Sequence, residues 1–380
     1  MRATRAEIDL SAIQYNLVQV RKKVGPNVRV LGVVKANAYG HGLVATAQAA
    51  LDAGVEYFGV AFVEEGLELR KHTDRPILVF SPPLEDSLES FVRFGLDATI
   101  TSLETAYSLD AVARGAGKKV RVQVNVDTGM GRLGFFAKDA VEAVRTISRL
   151  DMLSLAGVYS HFATSDEYNK EFARRQLTAF RHVVESVKDI GLGSLIFHIA
   201  NSGAVLDLAD SYFDMVRPGI MVYGYYPSDE TSESVNIKPA LSLRSVVTQM
   251  KTFSQGTSVS YGRRYFTRRN TRVAVIPIGY GDGFTRMFTG KASVLIRGKR
   301  FPVVGTITMD HIMCDVGNDF DIQTGDDVTL IGQDGDDRIT ARDLCINLGT
   351  IPYEVLCMLN SRIPRVYNIS VPAPREEVAK

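Results

Sequence analysis

The sequence predicts an α/β protein, an N-terminal (β/α)8 TIM-like barrel followed by a mostly β C-terminal domain, and two patterns carry that expectation. The first is repetition. β-branched and apolar runs fall at 28–34, 57–62, 76–80, 96–100, 120–126, 153–160, 195–200 and 213–223, and each of the first seven is followed by a segment readable as helix. Eight successive β units is the count that closes a barrel, although a doubly wound sheet shows the same alternation. The second is a change of texture past residue 230, where β-type runs at 241–253, 271–280, 291–310 and 326–332 carry hairpin punctuation at Gly298-Lys299 and Gly335-Asp336. At 380 residues the chain exceeds the usual size of one core. The expected domains are 9–232, the barrel, and 233–380 joined by 1–8, the β domain.

Each element has a local reason. Asp9 or Ser11 is placed to cap a helix reaching about Val24, with Ile13, Leu17 and Val20 on one apolar stripe. The segment 43–53 stops at Gly54, 64–72 carries Glu64-Glu65 in its first turn, and 170–190 is closed by Gly191. The helix after Asn201-Ser202 has the weakest pattern of the seven. Ser228 to Ser234 is polar and reads as a linker, and a short helix is expected at 341–348 between Thr340 and Gly349.

Composition narrows the function classes. With 45% apolar and 23% charged residues the chain is an ordinary globular one, and 44 basic against 43 acidic residues, a net charge of +1, leave no electrostatic footprint for nucleic acid or an anionic membrane. The first ten residues lack the apolar core of a signal peptide, and no run approaches the ~18 apolar residues that span a bilayer, so the cytoplasm is the expected compartment. Cys314, Cys345 and Cys357 show no metal-type spacing and read as small buried residues.

The chemistry is expected at the barrel mouth, on loops that follow strands. Val33-Val34-Lys35-Ala36-Asn37-Ala38-Tyr39-Gly40-His41-Gly42 delivers a lysine from the end of a buried strand into a small-residue loop. Partial desolvation there lowers an ammonium's pKa and suits it to Schiff-base chemistry; a lysine simply pointing to water is the plain alternative. Asn201-Ser202-Gly203 and Arg217-Pro218-Gly219-Ile220 offer a hydroxyl and backbone amides to a phosphate, or are turn formers only. His161 is either a mouth residue or a satisfied core histidine. Arg132, in the glycine-rich run Asp127 to Gly134, offers a bidentate fork to a carboxylate, or is solvated.

Taken in order, these stretches, with Val259-Ser260-Tyr261-Gly262, Gly279-Tyr280-Gly281-Asp282-Gly283, Met309-Asp310 and Ile351-Pro352-Tyr353-Glu354-Val355, resemble the alanine racemase family along the full chain. The resemblance implies pyridoxal phosphate as cofactor, a homodimer with shared active sites, L- and D-alanine as substrates, and supply of D-alanine to cell-wall peptidoglycan precursors. It makes Lys35 the Schiff-base lysine and Tyr261, from the partner subunit, the second acid/base group. Tyr39, Ser202, Gly219, Ile220 and Tyr353 would hold the phosphate, with His161 and Asn201 also against the cofactor and Arg217 facing the pyridine nitrogen. Arg132 and the Met309 amide would take the substrate carboxylate, and Tyr280 and Tyr353 would narrow the entrance. A tyrosine serving as base near neutral pH needs positive neighbours, for which Arg132, Arg217 and His161 are the candidates.

Three positions depart from the family pattern. Asn125 stands where many members carry a carbamylated lysine, so the expectation is that an anion such as chloride, or the Asn125 amide itself, holds Arg132. Thr306 and Thr308 stand where arginine and cysteine are common, and the arginine would pair with an aspartate, here Asp166. A racemase of broader specificity, serine included, therefore stays open. So do a fold-related decarboxylase and a barrel-only pyridoxal-phosphate carrier, which lacks counterparts of Tyr261 and Met309.

Overall fold

The computed structural model describes residues 2–368. The described chain forms two compact units: 13–38 with 43–238, and 2–12 with 39–42 and 239–368.

In the first unit eight parallel strands line up in the order Met215–Val216, Arg29–Val33, Tyr57–Val60, Ile77–Val79, Asp97–Ile100, Val120–Asp127, Leu153–Tyr159 and Ile196–His198. The ends of this row are joined by Asp214 N–H to Phe197 O at 3.0 Å and Arg217 N–H to Ala200 O at 2.9 Å, which nearly closes the barrel. The strands are buried almost throughout, because helices cover one face and barrel-lining side chains fill the other. The first helix, Leu10–Val24, is capped by Asp9, whose carboxylate accepts from Ser11 N–H at 2.9 Å and Ala12 N–H at 3.1 Å.

The eighth strand is far shorter than the expected run 213–223. Only Met215–Val216 pairs, since Pro218 has no N–H to continue the ladder and the chain then tightens into a 3-10 turn, Ile220–Tyr223. The segment 228–234 is tied down rather than loose: the Ser228 hydroxyl donates to Asp166 O and Glu230 accepts from Tyr168 N–H.

The second unit holds a ten-stranded sheet, antiparallel except where Arg5–Asp9 runs parallel to Arg365–Asn368. The expected hairpin at Gly298 is present, joining Ser293–Ile296 to Lys299–Val304 through Arg297 and Gly298, both with positive φ. The strands Ser258–Val259, Tyr265–Phe266, Ile312–Gly317 and Arg365–Asn368 escaped the sequence pattern, as did the helix Pro352–Met358, which carries Tyr353. Cys314 and Cys345 are buried as expected, but Cys357 is exposed, because it lies on that short helix away from its apolar face. Among the described residues no helix is long and apolar enough to cross a membrane.

One glycine deserves a mechanical test. Gly157 pairs with Gln123 across a bulge, and a Cβ there would collide with the Ile196 carbonyl oxygen. Gly157→Ala should therefore push the Ile196–His198 strand outward and destabilise the barrel by about 1–3 kcal/mol, read as a lower urea midpoint.

Candidate active site

Lys35 opens a turn of unusual hand. Ala36, Asn37 and Ala38 all sit near φ +53°, and Tyr39 follows at +50°, a left-handed arrangement that costs roughly 1–2 kcal/mol per non-glycine residue. Glu65 offsets it: one carboxylate oxygen accepts from Ala36 N–H at 2.6 Å, the other from Ala61 N–H at 2.8 Å. The Asn37 side chain then caps the next helix, accepting from Leu43 N–H at 2.8 Å. Glycines at 40 and 42 help, but the hand of this turn is set by Ala-Asn-Ala and a glutamate from the following βα unit.

Inside the barrel lies Arg217, only 3% exposed. Its guanidinium donates to His198 Nδ1 at 2.6 Å, Ser160 O at 2.7 Å, His161 Nδ1 at 3.1 Å and Ile199 O at 3.2 Å, and it covers the Tyr159 ring. All these acceptors are neutral, and no carboxylate pairs with it among the described residues. Burial, with Arg132 adding, pulls it down to about 10, which still leaves it charged at neutral pH.

Its orientation is set by a directional chain of hydrogen bonds. Because Arg217 donates to Nδ1, His198 carries its hydrogen on Nε2 and gives it to Gln123 Oε1 at 2.7 Å. Gln123 Nε2 donates to the Tyr57 hydroxyl at 2.9 Å, and Tyr57 donates to buried Asp97, which Arg121 Nε also meets at 3.0 Å. Each group has one role only, so the chain has one arrangement. Sequence reasoning missed Gln123, Tyr57 and Asp97, which alternate apolar neighbours on buried strands.

Electrostatics around His161 locate the other cations. Burial first, then Arg217, Arg132 and Lys35, hold its imidazole well below the ordinary histidine range. His161 is thus neutral and cannot be one of the positive neighbours expected for a tyrosine base. Arg132 rides on a loop that Asp127 shapes by accepting from Gly129 N–H at 2.8 Å and Gly131 N–H at 3.1 Å. Arg132 has no ion pair or side-chain hydrogen bond among the described residues. Asn125 is buried, and among the described residues no hydrogen bond joins its amide to Arg132, so the amide does not hold Arg132 as one expectation had it.

Two loop ends meet beside this cluster. Asn201 caps the helix Ser202–Asp207, accepting from Ala204 N–H at 3.1 Å, and the buried Ser202 Oγ accepts from Gly219 N–H at 2.9 Å. The serine keeps its own hydrogen to donate, next to the amides that open the 3-10 turn at Ile220. This is a cradle for an oxyanion.

The second unit contributes the remaining candidates. Tyr39 and Tyr353 lie with ring centroids 5.8 Å apart, and burial, then Cys357, pushes the Tyr39 phenol up. Tyr261 is 73% exposed on a turn whose Ser260, Gly262 and Arg263 all have positive φ. Thr306 steadies that turn: its hydroxyl donates to Tyr261 O at 2.8 Å, while Ser260 donates to Thr306 O. Met309 is also exposed, on a loop whose carbonyls at 308 and 309 accept from Tyr280 and Gly281 N–H groups at 3.0 and 2.9 Å.

The histidines give a pH dependence. His161 and His198 are both held well below 6.5, His198 by burial and then Arg217, so the unfolded chain binds protons that the barrel refuses. Stability should be full above about pH 6.5 and fall as pH drops below it, by up to about 1.4 kcal/mol per pH unit for each histidine. Urea midpoints between pH 7.5 and 5.5 check this; His198→Gln should flatten the slope.

Comparison with known proteins identifies the family. Family models described as the alanine racemase N-terminal and C-terminal domains match residues 8–227 and 240–367. An alanine racemase of Caldanaerobacter subterraneus subsp. tengcongensis is 41% identical over 372 residues, 97% of this chain and 95% of that one. The solved alanine racemase of Clostridium difficile 630 superposes with a TM-score of 0.93 at 37% identity, covering 97% of this chain and 96% of the other. That of Bartonella henselae, solved with covalently bound pyridoxal phosphate, gives 0.87 at 30% identity, covering 97% and 100%. With a barrel that ends in a lysine turn, a buried arginine and an oxyanion cradle, and with both domains matched along nearly the whole length, the chain belongs to the alanine racemase family.

Proposed function

We propose that this isomerase interconverts L- and D-alanine on pyridoxal phosphate, in a site completed by a second copy of the chain, with D-alanine serving peptidoglycan precursors. The observation that carries the reading is the buried Arg217 with neutral acceptors only, beside the Ser202–Gly219 cradle. A cationic, carboxylate-free pocket suits a phosphorylated cofactor with an unprotonated ring nitrogen. The Bartonella henselae relative, which holds that cofactor, supports the same assignment.

Lys35 would carry the cofactor. Ser202, Gly219, Ile220, Tyr39 and Tyr353 would hold its phosphate, and His161 and Asn201 would complete its surroundings. When bound, pyridoxal phosphate acidifies the substrate α-carbon by withdrawing electron density. Arg217 would donate to the ring nitrogen; since it keeps its proton near neutral pH, that nitrogen stays bare, which favours return of the proton to the α-carbon over transamination. Lys35 Nζ would serve one face of that carbon and the Tyr261 hydroxyl of a second copy the other. Arg132 and the Met309 amide would take the substrate carboxylate, with an anion such as chloride between Arg132 and Asn125.

Thr306 has a job here that the expected arginine gate does not have: it fixes the Tyr261 turn. The domain division at about 232 stays part of this reading, with 233–380 and 1–8 reaching the partner's site. Membership over both matched domains displaces the decarboxylase and carrier readings. Broader specificity, serine included, is decided by the same experiment.

Exchange of the α-proton into D2O tests the scheme with a panel of L- and D-amino acids. Lys35→Ala should lose about 10²–10⁴-fold. Tyr261→Phe should lose exchange unequally between L- and D-alanine, and Thr306→Val should show a weaker form of that asymmetry. Equal losses on both enantiomers would refute the two-base assignment. Exchanging chloride for gluconate should lower the rate, and Asn125→Lys should remove that dependence.

A further inference from the structure

The opposite end of the barrel holds a second concentration of cations. A cavity of about 470 Å3 opens among the N-terminal ends of the strands, lined by Arg29, Arg75, Arg121, Ser154, Ser194 and Glu56. Arg29 begins its strand, Arg121 and Ser154 are second in theirs, and Ser194 lies just ahead of Ile196–His198. Lys35, His161 and Arg217 all follow strands instead, so the two ends are separate sites.

The charges in this cavity do not balance. Arg121 is committed to Asp97, at 3.0 Å, and donates to Tyr57 at 3.1 Å. Glu56 is committed to Arg21, at 2.6 Å, and to Val30 N–H at 3.0 Å. Arg29 and Arg75 have no ion pair and no side-chain hydrogen bond among the described residues. Two uncompensated guanidiniums therefore share one concavity with a third that is anchored, and two serine hydroxyls complete the ring of donors.

We infer that this N-terminal mouth binds a phosphate group, as the free ion or as a small organic phosphate monoester. Guanidiniums match phosphate oxygens in paired hydrogen bonds, and three of them around one cavity suit a tetrahedral dianion better than a planar carboxylate. Arg121, held by Asp97, supplies a fixed edge on which Arg29 and Arg75 close. The volume lies in the range of small-molecule sites and leaves room beside a phosphate for an organic remainder.

The test uses enzyme fully loaded with pyridoxal phosphate, so that the other oxyanion cradle is filled. Calorimetric titration at constant ionic strength compares inorganic phosphate with ribose 5-phosphate, on wild type and on Arg29→Ala/Arg75→Ala. Saturable binding to wild type, weakened at least about tenfold in the variant, is the expected result. Tighter binding of the ester assigns the pocket to phosphate monoesters, and equal binding assigns it to the free ion. An absence of saturable binding, or equal affinity in the variant, overturns the inference. Unchanged alanine racemisation by the variant serves as the check that it folds.

Discussion

A charged guanidinium inside a barrel is the constraint on which the rest of the site depends. Arg217 is removed from water without a carboxylate to meet it, so its stability rests on carbonyl oxygens, imidazole nitrogens and an aromatic face. Those acceptors must stay neutral and correctly turned. His198 meets both conditions because Gln123 accepts from its Nε2 and Tyr159 stacks on its ring at 5.0 Å. A proton on Nδ1 would set two donors against each other. The depressed basicity of His161 and His198 follows from the same burial, and that field is what makes the pocket receptive to an electron-rich ligand.

Backbone conformation does comparable work at the edges of the site. The left-handed turn after Lys35 and the positive-φ residues around Tyr261 are both held from outside their own segments, by Glu65 in one unit and Thr306 in the other. In each case a candidate side chain stands beside positive-φ backbone that a bonded neighbour holds. Geometry in this chain is therefore distributed: the proposed catalytic lysine and tyrosine stand on segments that a glutamate and a threonine hold, and a glutamine orients the histidine beside Arg217.

Much of this was legible in the sequence. The βα period announced the barrel because buried parallel strands read as continuous apolar runs, and the Lys35 stretch stood out because a lysine rarely ends such a run. What was not legible depends on partners distant along the chain. Gln123 looks like one polar residue in a strand until His198 and Tyr57 are found beside it. The eighth strand shrank because Pro218 ends its ladder, and the helix bearing Tyr353 is too short to show a period. Of the two expected holders of Arg132, the Asn125 amide makes no hydrogen bond to it among the described residues, and His161 was a candidate cation until burial among three others made it neutral. For Gln123 and His161 it is environment, rather than residue type, that decides the role.

The central claim is that Lys35 and Tyr261 act together from two copies of the chain, and subunit mixing tests it most directly. Lys35→Ala and Tyr261→Phe chains carrying different tags would be co-expressed, and the mixed dimers isolated and assayed for racemisation. A mixed dimer holds one site with Lys35 and Tyr261 both intact and one with neither, so the isolated mixed dimers should show about half of wild-type activity, and an unfractionated, randomly assorted population about a quarter. Activity no greater than the sum of the two separate variants would contradict the account, since both groups would then have to come from one chain.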